Sequence, residues 1–154
     1  MALNSENILD NTGWQILEVL QENARISFSE LGRQVGLSAP AVAERVRRME
    51  AEGIISSYRA DIDPEKIGLP LMAMIELTTT PDRYPRIIAL IDNLPVLECY
   101  HVTGDRSFVM KVIARSMSHL ETIIEQLSYF GSTTTAVVLS SPLKAREISR
   151  NMIN

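Results

Sequence analysis

The sequence lacks the features that would place it in a membrane, in an oxidising compartment or on polyanions through bulk charge. Cys99 is its only cysteine, so no disulfide can form within the chain, and a reducing cytoplasmic setting is expected. No apolar run approaches the about 18 residues that a membrane span needs, and the N-terminal stretch has no secretory-signal pattern. The formal net charge is −4. A nucleic-acid site must therefore come from a local arrangement of basic residues.

Groupings that would indicate catalysis, a metal centre or a cofactor are also missing. The sequence has no nucleophile–base pair, glycine-rich phosphate loop or metal-ligand cluster, so neither an enzyme nor a bound cofactor is expected. Asp61 and Asp63 could belong to a metal loop or to a polar turn, and the turn is favoured because the acids that complete a calcium loop do not follow. Cys99 and His101 could form a thiol–imidazole pair or half a metal site, but a partly buried sheet face is favoured.

The first third of the chain has the pattern of three short helices with tight connections, roughly over residues 9–52. Ile16, Leu17 and Leu20 have the spacing of one helix face, and Asp10 or Thr12 precedes them as a candidate N-cap. These positions predict the first helix of a small helical domain.

The second and third helices have clear start and stop residues. Ser27 and Glu30 have capping-box spacing, and Gly36 suits a left-handed helix end. Ser38 is a favourable N-cap for the third helix, and Pro40 is tolerated in its first turn. The four residues VGLS therefore join two helices, which is the layout of a helix-turn-helix.

The third helix combines a buried stripe with a basic opposite face. Val42, Val46 and Met49 are predicted to be buried. The other face carries small residues that allow close approach to base edges, and the helix N-terminus suits phosphate. The predicted DNA-contacting residues are Ser38, Ala39, Pro40, Ala43, Glu44, Arg45, Arg47 and Arg48.

Three arginines within four positions have different predicted roles on this helix. Arg47 is expected to read guanine or to bind phosphate, whereas Arg45 and Arg48 flank the face and are expected to meet the DNA backbone. The alternative is a solvated surface helix, because Glu44 and Glu52 lie four residues either side of Arg48. The helix-turn-helix spacing and the small-residue face favour DNA binding.

The rest of the chain changes from helical to mixed periodicity. The stretch IISSYRADID is strand-like and leads into a linker at residues 56–68. The order β-α-β-β-α-β then predicts a ferredoxin-like domain, with Asp82 and the Ser118–Glu121 pair as helix caps. The predicted fold is α+β, with a helix-turn-helix, winged-helix-like head at 1–55 and a ferredoxin-like domain at 69–154.

The segments ENARIS, ELGRQVGLS, RVRRMEAEGII, DPEKIG and VTGDRSF together resemble the Lrp/AsnC family of transcription regulators. The resemblance covers nearly the whole chain. It implies a cytoplasmic, sequence-selective regulator of transcription whose α+β domains dimerise and often build octamers. It also implies a small effector, commonly an amino acid, bound between dimers.

Two positions depart from the family pattern. Gly13 stands where the family usually has an acid, which removes a capping-box partner from the first helix. Ser107 replaces the family acid in the turn before Phe108, where that acid helps to hold the effector. A serine offers only a neutral hydrogen bond. The resemblance implies an effector cleft at the turn of Gly104, Asp105 and Ser107, joined by Tyr100 and, from another subunit, by Thr133, Thr134 and Thr135. The alternative for the three threonines is simple β-propensity on a strand.

Two readings of the function follow from these residues. The first is a sequence-selective DNA-binding regulator that acts as a dimer or a higher even-numbered oligomer and takes a small effector. The alternative is an architectural DNA-binding protein without an effector, which Ser107 favours. Such a protein would bend or wrap DNA through phosphate contacts with little choice of sequence.

Overall fold

The computed structural model describes residues 8–143 and 145–153. They form two compact units. The first comprises residues up to Asp61 together with residues from Leu143 onward, and the second is Ile62–Pro142. The chain therefore returns to its first unit after completing the second. The N-terminal stretch was expected to lack a secretory signal, and its residues 1–7 lie outside the described residues.

The first unit contains three capped helices. They are α1 (Asn11–Glu22), α2 (Phe28–Val35) and α3 (Ala39–Ala51). Asp10, Ser27 and Ser38 each accept a hydrogen bond from a backbone N–H of the following first turn, which confirms all three predicted caps. Gly36 ends α2 with φ 71°, as predicted. No strand follows the helices in the described part of this unit, so no wing is seen there.

The core of this unit consists of the apolar faces of the three helices. Its buried members are Ile8, Ile16, Leu20, Leu31, Val42, Val46 and Met49. Trp14, on α1, is also buried, at 8% exposure.

Gly13 is required by a close backbone approach. A Cβ at this position would lie 2.1 Å from the carbonyl oxygen of Ile8, which is closer than any real contact of this kind. The family acid would therefore not fit here without moving the chain before α1. Asp10 caps the helix without the second half of a capping box, since its Oδ1 accepts from Gly13 N at 2.7 Å.

The segment predicted to be strand-like after α3 forms no strand. Residues 56–63 are irregular and exposed, because strand hydrogen bonds need a neighbouring strand and the structure brings none to them. The predicted polar turn is confirmed: Asp63 Oδ1 accepts a hydrogen bond from Glu65 N at 3.0 Å. A 3-10 turn at Glu65–Ile67 and Gly68, with φ 87°, then lead into the first strand of the second unit.

The second unit has the predicted β-α-β-β-α-β order. Its elements are β1 (Leu71–Thr78), α4 (Tyr84–Ile91), β2 (Val96–His101), β3 (Phe108–Ala114), α5 (Met117–Ser128) and β4 (Ser132–Val137). The sheet is antiparallel throughout, in the order β2-β3-β1-β4. Alternate strand residues, such as Ile75, Leu77 and Met110, pack with Ile87 and Ile123 of the two helices to form the core.

Two predicted helix caps are wrong in this unit. Ser116, not Ser118, caps α5, because the Ser116 hydroxyl accepts a hydrogen bond from His119 N and so starts the helix two residues earlier. Asp82 lies in a 3-10 turn, Pro81–Arg83, that precedes α4, and α4 has no side-chain cap. Strand β2 also contains a register shift: Val96 pairs with Val112, whereas Glu98 pairs with Lys111. The regular alternation of side chains between the two faces is therefore interrupted between Val96 and Glu98.

Within the described part of the chain, no helix has the length and apolar character needed to cross a membrane.

Candidate nucleic-acid interface and effector turn

The apolar stripe of α3 packs into the core of the first unit, and this determines which face of the helix is exposed to solvent. Val42, Val46 and Met49 are 0–2% exposed, so the opposite side of the helix points away from the core. A three-residue connection, 36–38, joins it to α2, and Leu37 N donates to Gly32 O at 2.9 Å. A Cβ on Gly32 would lie 2.4 Å from the carbonyl oxygen of Leu37. The tight turn therefore depends on a glycine in α2.

The structure places most of the predicted DNA-contacting residues on one surface. Ser38, Pro40, Glu44, Arg47 and Arg48 are exposed. The two small residues of the set, Ala39 and Ala43, are half-buried between them. The N-terminal turn of α3 thus carries short side chains and a capped N-terminus, which leaves room for a phosphate or a base edge.

Arg45 differs from its two neighbours. Its guanidinium binds both carboxylate oxygens of Asp10, at 3.0 and 2.9 Å. This hydrogen bonding, together with the backbone N–H of Gly13, lowers the pKa of Asp10 below its ordinary value. Arg45 therefore ties α3 to the start of α1. The sequence indicated Asp10 only as a cap, because nothing local links it to an arginine 35 residues away.

Arg47 and Arg48 remain available on the outer surface. Arg47 Nη1 lies 3.0 Å from Glu44 Oε2, and the two side chains are 72% and 62% exposed. Such an exposed pair contributes little and is easily exchanged for a phosphate. Among the described residues, Arg48 has no ion-pair partner within 4.0 Å. These two arginines are the strongest candidates for direct DNA contact.

Helix α2 adds a cation that the sequence reading did not single out. The Arg33 side chain is 78% exposed and forms an ion pair with Glu30 of its own helix, at 3.0 Å. The first helix of a helix-turn-helix crosses the DNA backbone, so Arg33 is placed for a phosphate contact. Its position in the last turn of α2 was the signal available in the sequence.

The turn between β2 and β3 is fastened to the end of β1. The hydroxyl of Ser107, a buried residue, donates to Thr79 O at 3.0 Å and accepts from Thr79 N at 3.1 Å. Its own N–H donates to Leu77 O at 2.9 Å. Gly104 adopts φ 98°, which favours glycine. Ser107 thus acts as a clamp between two segments, and its hydroxyl is already satisfied without a ligand.

Arg106 and Asp105 extend this clamp on the exposed side. Arg106 Nε donates to Glu76 Oε2 at 2.7 Å, and the carbonyl of Asp105 accepts from Thr78 Oγ1 at 3.0 Å. The Asp105 carboxylate belongs to an exposed residue. The turn therefore holds one cation paired with a strand acid and one acid at its surface.

The three predicted threonines of β4 alternate between the faces of the sheet. Thr133 and Thr135 pair with Leu77 and Ile75 on the core side, whereas Thr134 pairs with Glu76 on the outer side. Ser132 pairs with Thr78, whose hydroxyl donates to the carbonyl of Asp105 in the turn. The start of β4 and the turn therefore meet at the end of β1. Of the three threonines, only Thr134 lies on the same outer face as Glu76.

Tyr100 lies apart from this group. It is on β2, and β3 and β1 separate that strand from β4, a distance of roughly 14 Å for three strand spacings. Its hydroxyl donates to Glu98, which also binds Lys111 Nζ at 3.1 Å. The carboxylate of Glu98 raises the pKa of Tyr100, and these partners lower the pKa of Glu98. The structure therefore does not bring Tyr100 to the threonines within one chain.

The surroundings of Cys99 and His101 on β2 do not favour a thiol–imidazole pair. The ring of His101 packs against Tyr84 and Phe108, with centroid distances of 5.0 and 5.2 Å. Partial burial raises the pKa of the Cys99 thiol, which disfavours the reactive thiolate. Among the described residues, no group of three or more metal-ligating side chains is positioned to hold an ion.

Comparisons with known proteins agree over both units. The model of the AsnC-type helix-turn-helix domain matches residues 9–50, and that of the Lrp/AsnC ligand binding domain matches residues 72–148. The transcriptional regulator LrpC of Bacillus subtilis is 38% identical over 133 residues, covering 86% of this chain and 92% of LrpC. The regulatory protein AsnC of Escherichia coli is 33% identical over 142 residues, covering 88% and 93%.

Solved structures show the same architecture. The structure of B. subtilis LrpC superposes with a TM-score of 0.84 at 35% identity, covering 89% of this chain and 99% of that one. The L-methionine complex of the transcriptional regulator NMB0573 from Neisseria meningitidis gives a TM-score of 0.86 at 28% identity, covering 95% and 99%. With both domain models and these relatives in agreement, the chain belongs to the Lrp/AsnC family of DNA-binding transcriptional regulators.

Proposed function

We propose that this regulator recognises a specific DNA sequence with the exposed face of α3, and that it is not an enzyme. The observation that carries the proposal is the arrangement of α3 itself. Its stripe is fully buried, its N-terminus is capped by Ser38, and Arg47 and Arg48 are exposed beside small residues. Arg45 is occupied by Asp10 and acts by holding the helix, not by reading DNA. Arg33 of α2 supplies a further phosphate contact.

A homo-oligomer is part of this proposal, with a dimer as its minimum. The outer face of the sheet carries Met72, Met74 and Val109 in half-buried positions that no helix of the unit covers. A second copy packed on this face would remove these apolar groups from water. In a dimer the two α3 helices would contact half-sites about one helical turn of DNA apart, ~34 Å, or a multiple of it. We place the protein in the cytoplasm, where its DNA target lies.

The test is a titration of fluorescently labelled duplexes followed by anisotropy. One duplex carries the DNA upstream of the protein's own gene, and the other has the same base composition in scrambled order. Each titration is run at about 50 and about 200 mM salt, because phosphate contacts weaken steeply over this range. We expect tighter binding to the upstream duplex at both salt concentrations. Equal binding to both duplexes that falls steeply with salt would instead support the architectural alternative.

The proposed effector is an amino acid or a related small molecule bound near the turn at Gly104–Ser107. The support is the ligand-binding domain model at residues 72–148 and the L-methionine complex of the similar regulator. The turn of this chain offers the neutral hydroxyl of Ser107, which already binds Thr79. An amino group therefore meets no carboxylate at this position, and the exposed Asp105 is the acid of the turn.

Replacing Ser107 by aspartate removes the hydrogen bond that the hydroxyl donates to Thr79 O and places a carboxylate at the turn. Amino-acid binding is expected to strengthen by about five- to thirtyfold, because hydrogen bonds to a charged group are about twice as strong as neutral ones. The measurement is isothermal titration calorimetry of the full-length protein with a mixture of free amino acids and then with single ones. Ser107→Asn is the matched control, since asparagine has the same shape without the charge. Equal affinities of the two variants would show that position 107 does not face the amino group.

A further inference from the structure

The C-terminal segment Ala145–Ile153 lies on the DNA-binding unit. The second unit ends at Pro142, and the residues from Leu143 onward are part of the first unit. The segment has no regular secondary structure except for one 3-10 turn, Arg150–Met152. Such a segment keeps a fixed place only through contacts with its neighbours, and two residues of α1, Asn11 and Gln21, provide hydrogen bonds to it.

Gln21 of α1 binds the main chain of Ile148 with both ends of its amide. Its Nε2 donates to Ile148 O at 3.0 Å, and its Oε1 accepts from Ile148 N at 2.8 Å. The side-chain amide thus makes the pair of hydrogen bonds that a neighbouring strand residue would make. This pairing fixes the segment at one residue along its length.

Two further contacts hold the same segment. Arg150 Nη1 donates to the side-chain oxygen of Asn11, at the opposite end of α1 from Gln21. Ile148 lines a cavity of about 370 Å³ together with Trp14, Leu17 and Tyr58, all of the first unit. The two polar contacts therefore involve residues at opposite ends of α1, and the side chain of Ile148 adds an apolar contact beside Gln21.

The contact at Asn11 lies next to the Asp10–Arg45 ion pair, which holds α3. Asn11 is the first residue of α1, and the preceding Asp10 binds the guanidinium of Arg45 on α3. Holding Asn11 restricts the motion of the turn that carries Asp10. A continuous set of contacts thus runs from the C-terminal segment through the first turn of α1 to α3.

The docked segment buries little of its side-chain surface. Ile148 is 61% exposed, Met152 53% and Ile153 66%, and the hydrogen bonds of Gln21 are themselves exposed. A segment with few buried contacts opens at low free-energy cost. It can therefore release while the helices of the unit stay folded.

We propose that the segment Ala145–Ile153 is a releasable latch on α1. When it is docked it restricts the motion of α3, so DNA affinity depends on whether the segment is docked. The proposal rests on the DNA-binding function proposed above. Five residues, 138–142, separate β4 from Leu143. A change at β4, such as effector binding, has a short covalent route to the latch. This connection is separate from the linker at residues 56–68, which joins the two units on the N-terminal side of the sheet.

The test compares Gln21→Leu with the parent protein in two measurements. Leucine keeps the size of the side chain but removes both hydrogen bonds to Ile148. Limited trypsin digestion followed by mass spectrometry reads docking, because Arg146 and Arg150 are cleavage sites within the segment. We expect cleavage there to become about three- to tenfold faster, and DNA affinity to fall by a similar factor.

Gln126→Leu is the matched control, because Gln126 on α5 donates a hydrogen bond to Thr122 O within its own helix. Cleavage at an unchanged rate in Gln21→Leu would overturn the docking. Faster cleavage without loss of DNA affinity would overturn the link to α3. A parent protein that binds no DNA would overturn the proposed function as well, and the digestion would still report separately whether the segment is docked.

Discussion

Replacing Arg47 by alanine is expected to weaken specific DNA binding by about 1–3 kcal/mol, which is roughly a five- to 150-fold rise in Kd. The side chain is 72% exposed and forms an exposed ion pair with Glu44 one turn earlier, so it can exchange that partner for a base edge at little cost. Stability should change by less than about 0.5 kcal/mol, since the position is on the surface. Anisotropy titrations with specific and scrambled duplexes measure the first quantity, and thermal unfolding measures the second.

The control for Arg47→Ala is Arg115→Ala, which makes the same charge change at an exposed position of the second unit. If Arg47 contacts a base, its loss should reduce the preference for the specific duplex, whereas Arg115→Ala should leave that preference intact. A uniform weakening on both duplexes would assign Arg47 to phosphate. Unchanged affinity on both would exclude it from the interface.

Asp10 is expected to show the second large effect, on stability and on DNA binding together. Asp10→Ala should destabilise the first unit by about 2 kcal/mol, because it removes an N-cap and leaves Arg45 without its bidentate partner. Asp10→Asn should cost about half as much, since asparagine still caps α1 but carries no charge. Both variants should bind DNA more weakly, because α3 loses its tie to α1.

The pH dependence of the unfolding free energy separates the contribution of the Asp10–Arg45 ion pair from that of the helix cap. The folded-state pKa of Asp10 is lowered from 3.8, first by the Arg45 hydrogen bonds. A lowered pKa stabilises the folded state above the unfolded-state value, and that stability is lost as the pH falls through the folded-state pKa. The difference in unfolding free energy between parent and Asp10→Asn should therefore stay constant from pH 7 to about 5 and shrink below about 3.8. Denaturation followed by the fluorescence of Trp14, the only tryptophan, reports on this unit. A difference that persisted at pH 2–3 would contradict the assignment.

Local signals in the sequence were enough for the helices of the head. Ser27 with Glu30, Gly36, and Ser38 with Pro40 each fix a helix end through contacts that span three or four residues, and such contacts depend on the order of residues alone. The same is true of the buried stripe on α3. Ser116 displaced Ser118 because two serines two residues apart are equally suited to a cap, and only the direction of the chain entering α5 selects one.

Contacts between distant residues lay beyond these signals. The sequence assigned Arg45 to DNA because it stands beside Arg47 and Arg48, whereas the structure gives it to Asp10. Ser107 indicated a missing acid, but its role as a clamp on Thr79 depends on how β1 ends beside the turn. The strand-like segment after α3 shows the converse, since β-propensity without a neighbouring strand produced no strand.

The sequence by itself determined the family, the helix-turn-helix and the order of strands and helices, because these depend on periodicity, caps and motif spacing along the chain. Only the tertiary structure decided which arginine anchors α3 and which ones face outward. It also decided that Thr134 lies on a different face from its two neighbours, and that the C-terminus returns to the first unit. Those outcomes depend on pairs such as Asp10–Arg45 and Gln21–Ile148, 35 and 127 residues apart. No local pattern encodes such pairs, because the fold alone brings their atoms within hydrogen-bonding distance.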